Sequence, residues 1–348
     1  MLANALAVPK PAAAAGGEEL IQRGLEPKGG QALKGRIVCI GGACLSQKYR
    51  ARAAIIPRTS NPCEGRRGFG GVARNVAENL ARLEIDVCLI SATGDDDSGR
   101  ALLRHLGELE VDLTYMLTIA GAATATYVAV LEPTGDMALG LADMDIFDRL
   151  TSSALEGAWP RIASADWVFA DCNLPADTLA ELRRRRAAGS FRLAIDAVSI
   201  PKAARLRGSL ENIDVLFANY PEADAILGAA AEPADSTLLA ARKLLKFGAG
   251  AVVLTDGGNG HVVATAGSAS HISSIPATPR DATGAGDALI AATLYRLLAG
   301  ETLDAASRTG ALAAALTLES VIDVNPELTP KLLAGNATRL AQATLRKL

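Results

Sequence analysis

The sequence predicts an α/β protein: a doubly wound, mainly parallel sheet flanked by helices, with a small β-sheet lid beside it. Three observations carry that expectation. Short β-rich runs recur at 36–41, 87–92, 167–171, 193–197, 214–218 and 250–255, several of them apolar at consecutive positions, as strands buried on both faces require. Helical patterns separate many of these runs, which implies a mainly parallel sheet. Two further stretches break the alternation and read as extended chain.

Taken in order, residues 1–34 are Ala- and Gly-rich and contain no apolar stretch long enough for a signal peptide or a membrane span. They are expected to form a flexible extension ahead of one domain at 35–348. GRIVCIGG, from residue 35, opens the first buried strand. CLSQKYRARAAIIPRTS, residues 44–60, lacks a helical face. In GVARNVAENLARL the apolar Val72, Val76, Leu80 and Leu83 return at near-helical intervals. TATYVAVLEPTGDMALGLAD, residues 124–143, reads as two strands joined around the turn EPTGD. The inserted lid segments are therefore placed at about 44–60 and 112–143, beside the strand ends where open α/β sheets bind ligands. The run Arg183–Arg186 closes a helix at 178–187 and reads as a solvated face favoured by the helix dipole.

Composition narrows the function. Hydrophobic residues make up 49% of the 348, and aromatics only 4%, so a large core is to be filled by Ala, Leu, Val and Ile. With 35 basic against 38 acidic residues the formal charge is −3, which argues against a nucleic-acid backbone or an acidic membrane as main partner. The five cysteines show no metal-like spacing and fit a reducing cytosol, so the protein is expected in the cytoplasm. His105, His261 and His271 share no spacing that suggests a metal site or a catalytic triad.

The informative stretch is TPRDATGAGDALIAATL, residues 278–294. A helix start carries unpaired N–H groups and partial positive charge, and Gly284 and Gly286 remove side-chain bulk where an anion could approach them. Asp287 would repel a bound phosphate unless it takes the proton from an attacking hydroxyl. A plain N-cap before an Ala-rich core helix explains the loop alone equally well.

DATGAGD resembles the C-terminal signature of the ribokinase (PfkB-type) carbohydrate kinases, and GFGGVARNVAENLARL, residues 68–83, resembles their N-terminal Gly-Gly signature. The resemblance runs from about residue 35 to the end. More narrowly, SNP, TATYVAVLEPTGDMALGLADMDIFD and ADCNLP are similar to the pseudouridine kinase branch. The resemblance implies an ATP- and Mg2+-dependent phosphotransferase acting on the 5′-hydroxyl of a ribosyl nucleoside, pseudouridine first. It places Asp287 as base and Gly284, Ala285 and Gly286 in the anion loop. Gly70, Gly71 and Asn75 would meet the sugar hydroxyls. Asn219 and Glu222 of NYPEA match a motif that organises magnesium and phosphate, often through water. Thr255 and Gly257 of VVLTDGGNG, with Asn173 of DCNLP, would serve ATP. Asp281 and Thr283 match positions associated with a monovalent cation, K+, although capping of the helix accounts for both equally well. A homodimer through the lid is a further expectation, by analogy of fold.

One departure matters. After the first strand the family reads Gly-Gly-Ala, two residues and then an Asp that grips two sugar hydroxyls; here GGACLSQKY puts Ser46 at that position. Loss of a charge-assisted contact corresponds to about 1.5–3 kcal/mol. Another group compensates, the substrate differs, or activity is weak; if the ribose site is otherwise intact, Ser46→Asp is expected to restore the grip. The alternatives are a kinase for another nucleoside or a free sugar, and a catalytically weak ligand-binding member of the fold.

Overall fold

A computed structural model describes residues 33, 35–228, 236–280 and 283–348. Nearly all of the expected N-terminal extension, and Asp281, lie outside the described residues. The chain alternates strand and helix through β1 (Arg36–Ile40), β2 (Cys44–Ala51), β3 (Cys63–Gly70), α1 (Val72–Arg82), β4 (Asp86–Ile90), β5 (Ala92–Gly94), α2 (Asp97–Glu108), β6 (Leu117–Ile119), β7 (Thr126–Leu131) and β8 (Met137–Asp143). It continues through α3 (Trp159–Ala163), β9 (Trp167–Asp171), α4 (Ala176–Ala188), β10 (Arg192–Asp196), α5 (Ile200–Ala203), β11 (Val215–Asn219), α6 (Tyr220–Leu227) and α7 (Thr237–Lys246). The last part holds β12 (Ala251–Thr255), β13 (His261–Thr265), β14 (Ala269–Ile272), α8 (Ala285–Leu298), α9 (Leu303–Leu318), α10 (Pro330–Gly335) and β15 (Leu345–Lys347).

The main sheet has nine strands in the order β15-β14-β13-β12-β11-β10-β9-β1-β4. From β12 to β4 every neighbouring pair is parallel, while β13, β14 and β15 add antiparallel at the other side. Strand order reverses between β1 and β9, so the crevice at their carboxyl ends is the switch point where such sheets take ligands. Alternate residues feed two cores: Ile37 and Cys39 join the layer containing α1, α8 and α9, while Val38 and Ile40 join the layer containing α4, α6 and α7. Packing between the sheet and its neighbours α1 and α9 explains why α8 is apolar almost all round, with every residue from Ala288 to Leu297 buried.

A second sheet of four strands, β3-β2-β7-β8, stands apart from the first. It differs in two places from the segments expected at 44–60 and 112–143. Residues 112–119 lie outside it, because Leu117–Ile119 pairs with Ala92–Gly94 in a separate two-stranded sheet. Its edge strand β3 instead draws on Cys63–Gly70, whose CEGRRGFG has no apolar alternation to betray a strand. The arginine run falls at the end of α4, where Arg184 and Arg185 pair with Glu181, and Arg186 pairs with Asp214.

Candidate active site

Four adjacent parallel strands each end on a polar residue: β9 on Asp171, β10 on Asp196, β11 on Asn219 and β12 on Thr255. Ahead of each, the middle of the strand is apolar because it is covered on both faces, and the polar residue falls where the strand ends at the crevice. Asp171 is wholly buried at the switch point, and its carboxylate accepts from the backbone N–H of Gly42 at 2.9 Å, Ala73 at 2.9 Å and Asn173 at 2.9 Å. It thereby ties the turn after β1 to the start of α1. Burial pushes the Asp171 carboxyl above its ordinary range, and the three backbone donors oppose that rise. Gly71, at φ 97, lets α1 enter against this turn, since a Cβ there would strike the Gly42 carbonyl.

Helix α8 starts at the expected loop. Gly284 caps it in the left-handed region at φ 80, and a Cβ there would collide with the carbonyl oxygen of Asp323. Ala285, Gly286 and Asp287 make up its first turn, where N–H groups lack partners within the helix. Above Gly286 an added Cβ would meet nothing within 4 Å, so its bareness keeps space open rather than relieving a clash. Gly286→Ala is therefore expected to leave thermal stability near wild type while removing most ATP turnover, read by melting and by coupled-enzyme assay. Loss of melting temperature with turnover intact would make the glycine structural.

Asp287 faces Asn75 of α1, whose Nδ2 donates to Asp287 Oδ2 at 2.6 Å. Part of Asp287 still reaches the crevice, yet the protein around it displaces most water. That desolvation, reinforced by the negative charges of Asp323 and Asp171 and opposed by Asn75 and Arg74, raises its pKa from 3.8 to about 7. Such a carboxylate is matched to proton transfer near neutral pH. Asn75 Oδ1 is buried without a hydrogen-bond partner among the described residues, so an acceptor site stands ready in the crevice.

Two pockets lie near this pair, one including Asp287 itself and the other Arg74, the residue before Asn75. One, of ≈ 170 Å³, contains Asp196, Asn219, Glu222, Thr255, Gly286 and Asp287. The other, of ≈ 260 Å³, contains Ser46, Gly68, Phe69, Arg74 and Asp323. Ser46 sits on β2 behind Gly70, whose added Cβ would lie 3.2 Å from the Ser46 Cβ. Asn219 and Glu222 form a reciprocal capping box at the start of α6, Glu222 N–H to Asn219 Oδ1 at 2.9 Å and Asn219 N–H to Glu222 Oε2 at 2.9 Å. The cap leaves Glu222 Oε1 for other partners. Burial raises the Glu222 carboxyl, and burial followed by the charges of Glu222, Asp287 and Asp171 raises Asp196 further. Val198, a β-branched residue held at φ 69, turns the chain after Asp196 and lines the same pocket.

The smaller pocket thus gathers Asn219, Glu222, Thr255, Gly286 and Asp287. Asn173 lies outside it, beneath Gly42, where its Oδ1 accepts from the Lys202 ammonium. Gly257 is exposed in a short 3-10 turn two residues beyond Thr255, and Thr283 is exposed ahead of α8. Sequence reasoning missed Asp171, Asp196, Lys202 and Asp323. For the first two a signal existed, the polar residue closing WVFAD and RLAID.

With this geometry in place, likeness to known proteins is decisive. Residues 34–329 match the pfkB family of carbohydrate kinases. The chain belongs to that family. As a PfkB-family member it is a sugar or nucleoside kinase, a phosphotransferase with an alcohol group as acceptor. Over 259 residues, 74% of this chain and 82% of the other, it is 30% identical to the pseudouridine kinase of Escherichia coli K12. A carbohydrate kinase from Agrobacterium tumefaciens superposes with TM-score 0.77 at 29% identity, covering 90% of this chain and 100% of that one. Arabidopsis thaliana ribokinase, solved with ribose and ATP, shares the fold at TM-score 0.74 and 20% identity, covering 87% of this chain and 98% of that one. Kinases of this family use ATP and typically Mg2+. Among the described residues no helix is long and apolar enough to cross a membrane.

Proposed function

We propose that this kinase phosphorylates the 5′-hydroxyl of a ribosyl nucleoside, pseudouridine first. The observation that carries the reading is the Asn75–Asp287 contact at 2.6 Å, which sets an amide with a free acceptor oxygen directly beside the candidate base. The likeness to a pseudouridine kinase supports the choice of acceptor. In the proposed reaction Asp287 accepts the proton of the acceptor hydroxyl as its oxygen bonds to the γ-phosphorus of ATP and the bond to the ADP oxygen breaks. The N–H groups of Ala285 and Gly286 face the charge on the transferred phosphoryl group. Asn75 holds the sugar through its unpartnered Oδ1 and holds Asp287 through Nδ2.

The donor set around the smaller pocket fits magnesium held through water. Asp196, Glu222 and Asp287 share the pocket, the charges of Glu222 and Asp287 bear on Asp196, and no three side chains among the described residues converge closely enough to hold a metal directly. Glu222 and Asp196 would hold the ion, which neutralises phosphate charge when bound. The reading also includes a K+ site at Asp281 and Thr283, nucleotide contacts from Thr255, Gly257 and Asn173, and a cytoplasmic setting in keeping with five unpaired cysteines. It includes a homodimer through the small sheet, whose edge strand β8 exposes Met137, Leu139 and Leu141 at alternate positions. Ser46 favours a second reading, in which the acceptor is a free sugar or another nucleoside.

Magnesium-dependent ATP turnover with pseudouridine, uridine and D-ribose tests the choice. The expected result is a kcat/KM at least about 10-fold higher for pseudouridine, the factor that one lost hydrogen bond of about 1.4 kcal/mol would produce. Preference for ribose would move the protein to the second reading.

A further inference from the structure

Resting on that reading, we infer that Asp323, in the segment between α9 and α10, supplies the carboxylate that grips the acceptor's sugar hydroxyls, replacing the one that position 46 lacks. Ser46 Oγ donates to Asp323 Oδ2 at 3.3 Å, across 277 residues of sequence. On the same face of β2, two residues on, Lys48 Nζ lies 2.5 Å from Asp323 Oδ1. The side chains of Lys48 and Asp323 are 13% and 11% exposed, so the pair is largely removed from water, yet Ser46 and Asp323 still line the larger pocket together.

Those facts suit a ligand-facing carboxylate. A carboxylate offers about four lone-pair directions. Lys48 occupies one on Oδ1 and Ser46 one on Oδ2, which leaves one on each oxygen for a vicinal pair of hydroxyls. The Lys48 ammonium gives the largely buried Asp323 carboxylate an opposite charge in direct contact. The segment is fixed at its other end, because the Asp323 carbonyl rests against Gly284, where any side chain would displace it. Asp323 is thus held between the small sheet and the anion loop, beside the base. Its charge is among the causes that raise the Asp287 carboxyl, so it acts on the reacting centre from nearby.

The restoration expected for Ser46→Asp is therefore reversed: a carboxylate at 46 would stand against Asp323, and like charges at that distance repel. Kinetics and calorimetry with pseudouridine and D-ribose decide the matter. Asp323→Asn should raise the acceptor KM and Kd about 10- to 150-fold, with ATP KM changed less than about 3-fold. Ser46→Asp alone should also weaken acceptor binding, and the double variant Ser46→Asp/Asp323→Asn should recover most of it. With 2′-deoxy and 3′-deoxy forms of the acceptor, at least one should bind wild type and Asp323→Asn alike, since the hydroxyl that Asp323 holds is gone. A purely structural clasp would lower the melting temperature and leave the acceptor KM where it was. A wild type that phosphorylates either compound, with an unchanged acceptor KM in Asp323→Asn, overturns this assignment alone. A wild type that neither binds nor phosphorylates either overturns the functional reading and this assignment with it.

Discussion

Asp287→Asn is expected to lower kcat by about 10²–10⁴, or about 3–5.5 kcal/mol of barrier, with substrate KM values little changed. The amide keeps the size of the carboxylate and can still meet Asn75, so binding geometry survives while the proton acceptor does not. Wild-type kcat should fall on the acid side of about pH 7, where the carboxyl takes up its proton. The same shift carries a stability signature. Between the ordinary value of 3.8 and about 7 the folded chain holds a proton that the unfolded chain has released, so this group weakens the fold as pH rises through that window. The variant has no such ionisation and should melt higher than wild type at pH 8. Near wild-type kcat in the variant would remove Asp287 from the chemistry.

Asp171→Ala is expected to destabilise the fold by about 3–5 kcal/mol, the largest stability effect of any substitution in the site. Three buried backbone donors, from Gly42, Ala73 and Asn173, would lose their acceptor together. Trp167 lies four residues earlier in the same strand and is buried, so its fluorescence during urea unfolding reports the loss. Turnover should fall as well, because the turn after β1 and the helix bearing Asn75 are joined through this carboxylate. A midpoint unchanged from wild type would show that water or a neighbouring group satisfies the three donors.

The parallel half of the sheet was legible because burial on both faces forces unbroken apolar runs. RIVCI, WVFAD and VLFAN stand out as apolar runs, and the expected runs fall within two residues of the strands found. The antiparallel strands gave less. LRK of β15 is exposed throughout and carries no periodicity at all, and CEGRRGFG of β3 owes its extended form to pairing with β2 rather than to its own composition. Within the site, residues on a helix start were readable from local rules: Asp287, Gly286 and Asn75 belong to motifs a few residues long. Asp323 was not, since its place opposite Ser46 arises where a loop between two helices meets a strand 277 positions away. No local pattern encodes such a meeting. Ser46 looked like a loss when read along the chain, and gained its counterpart only in three dimensions.

The polar ends of β9, β10, β11 and β12 have a consequence of another kind. Main-chain hydrogen bonds hold neighbouring strands about 4.8 Å apart, so the three intervals from Asp171 to Thr255 set a length of about 14–15 Å. Side-chain substitutions alter what each end of that length offers, but the sheet itself keeps the gauge. On the proposed reading, the reacting centre lies along that length, with Asp171 tying the turn beside Asn75 at one end and Thr255 in the pocket of Glu222 and Gly286 at the other. Acceptor preference can therefore drift through β2, β3 and the segment carrying Asp323, while the distance over which the phosphoryl group is passed stays constant.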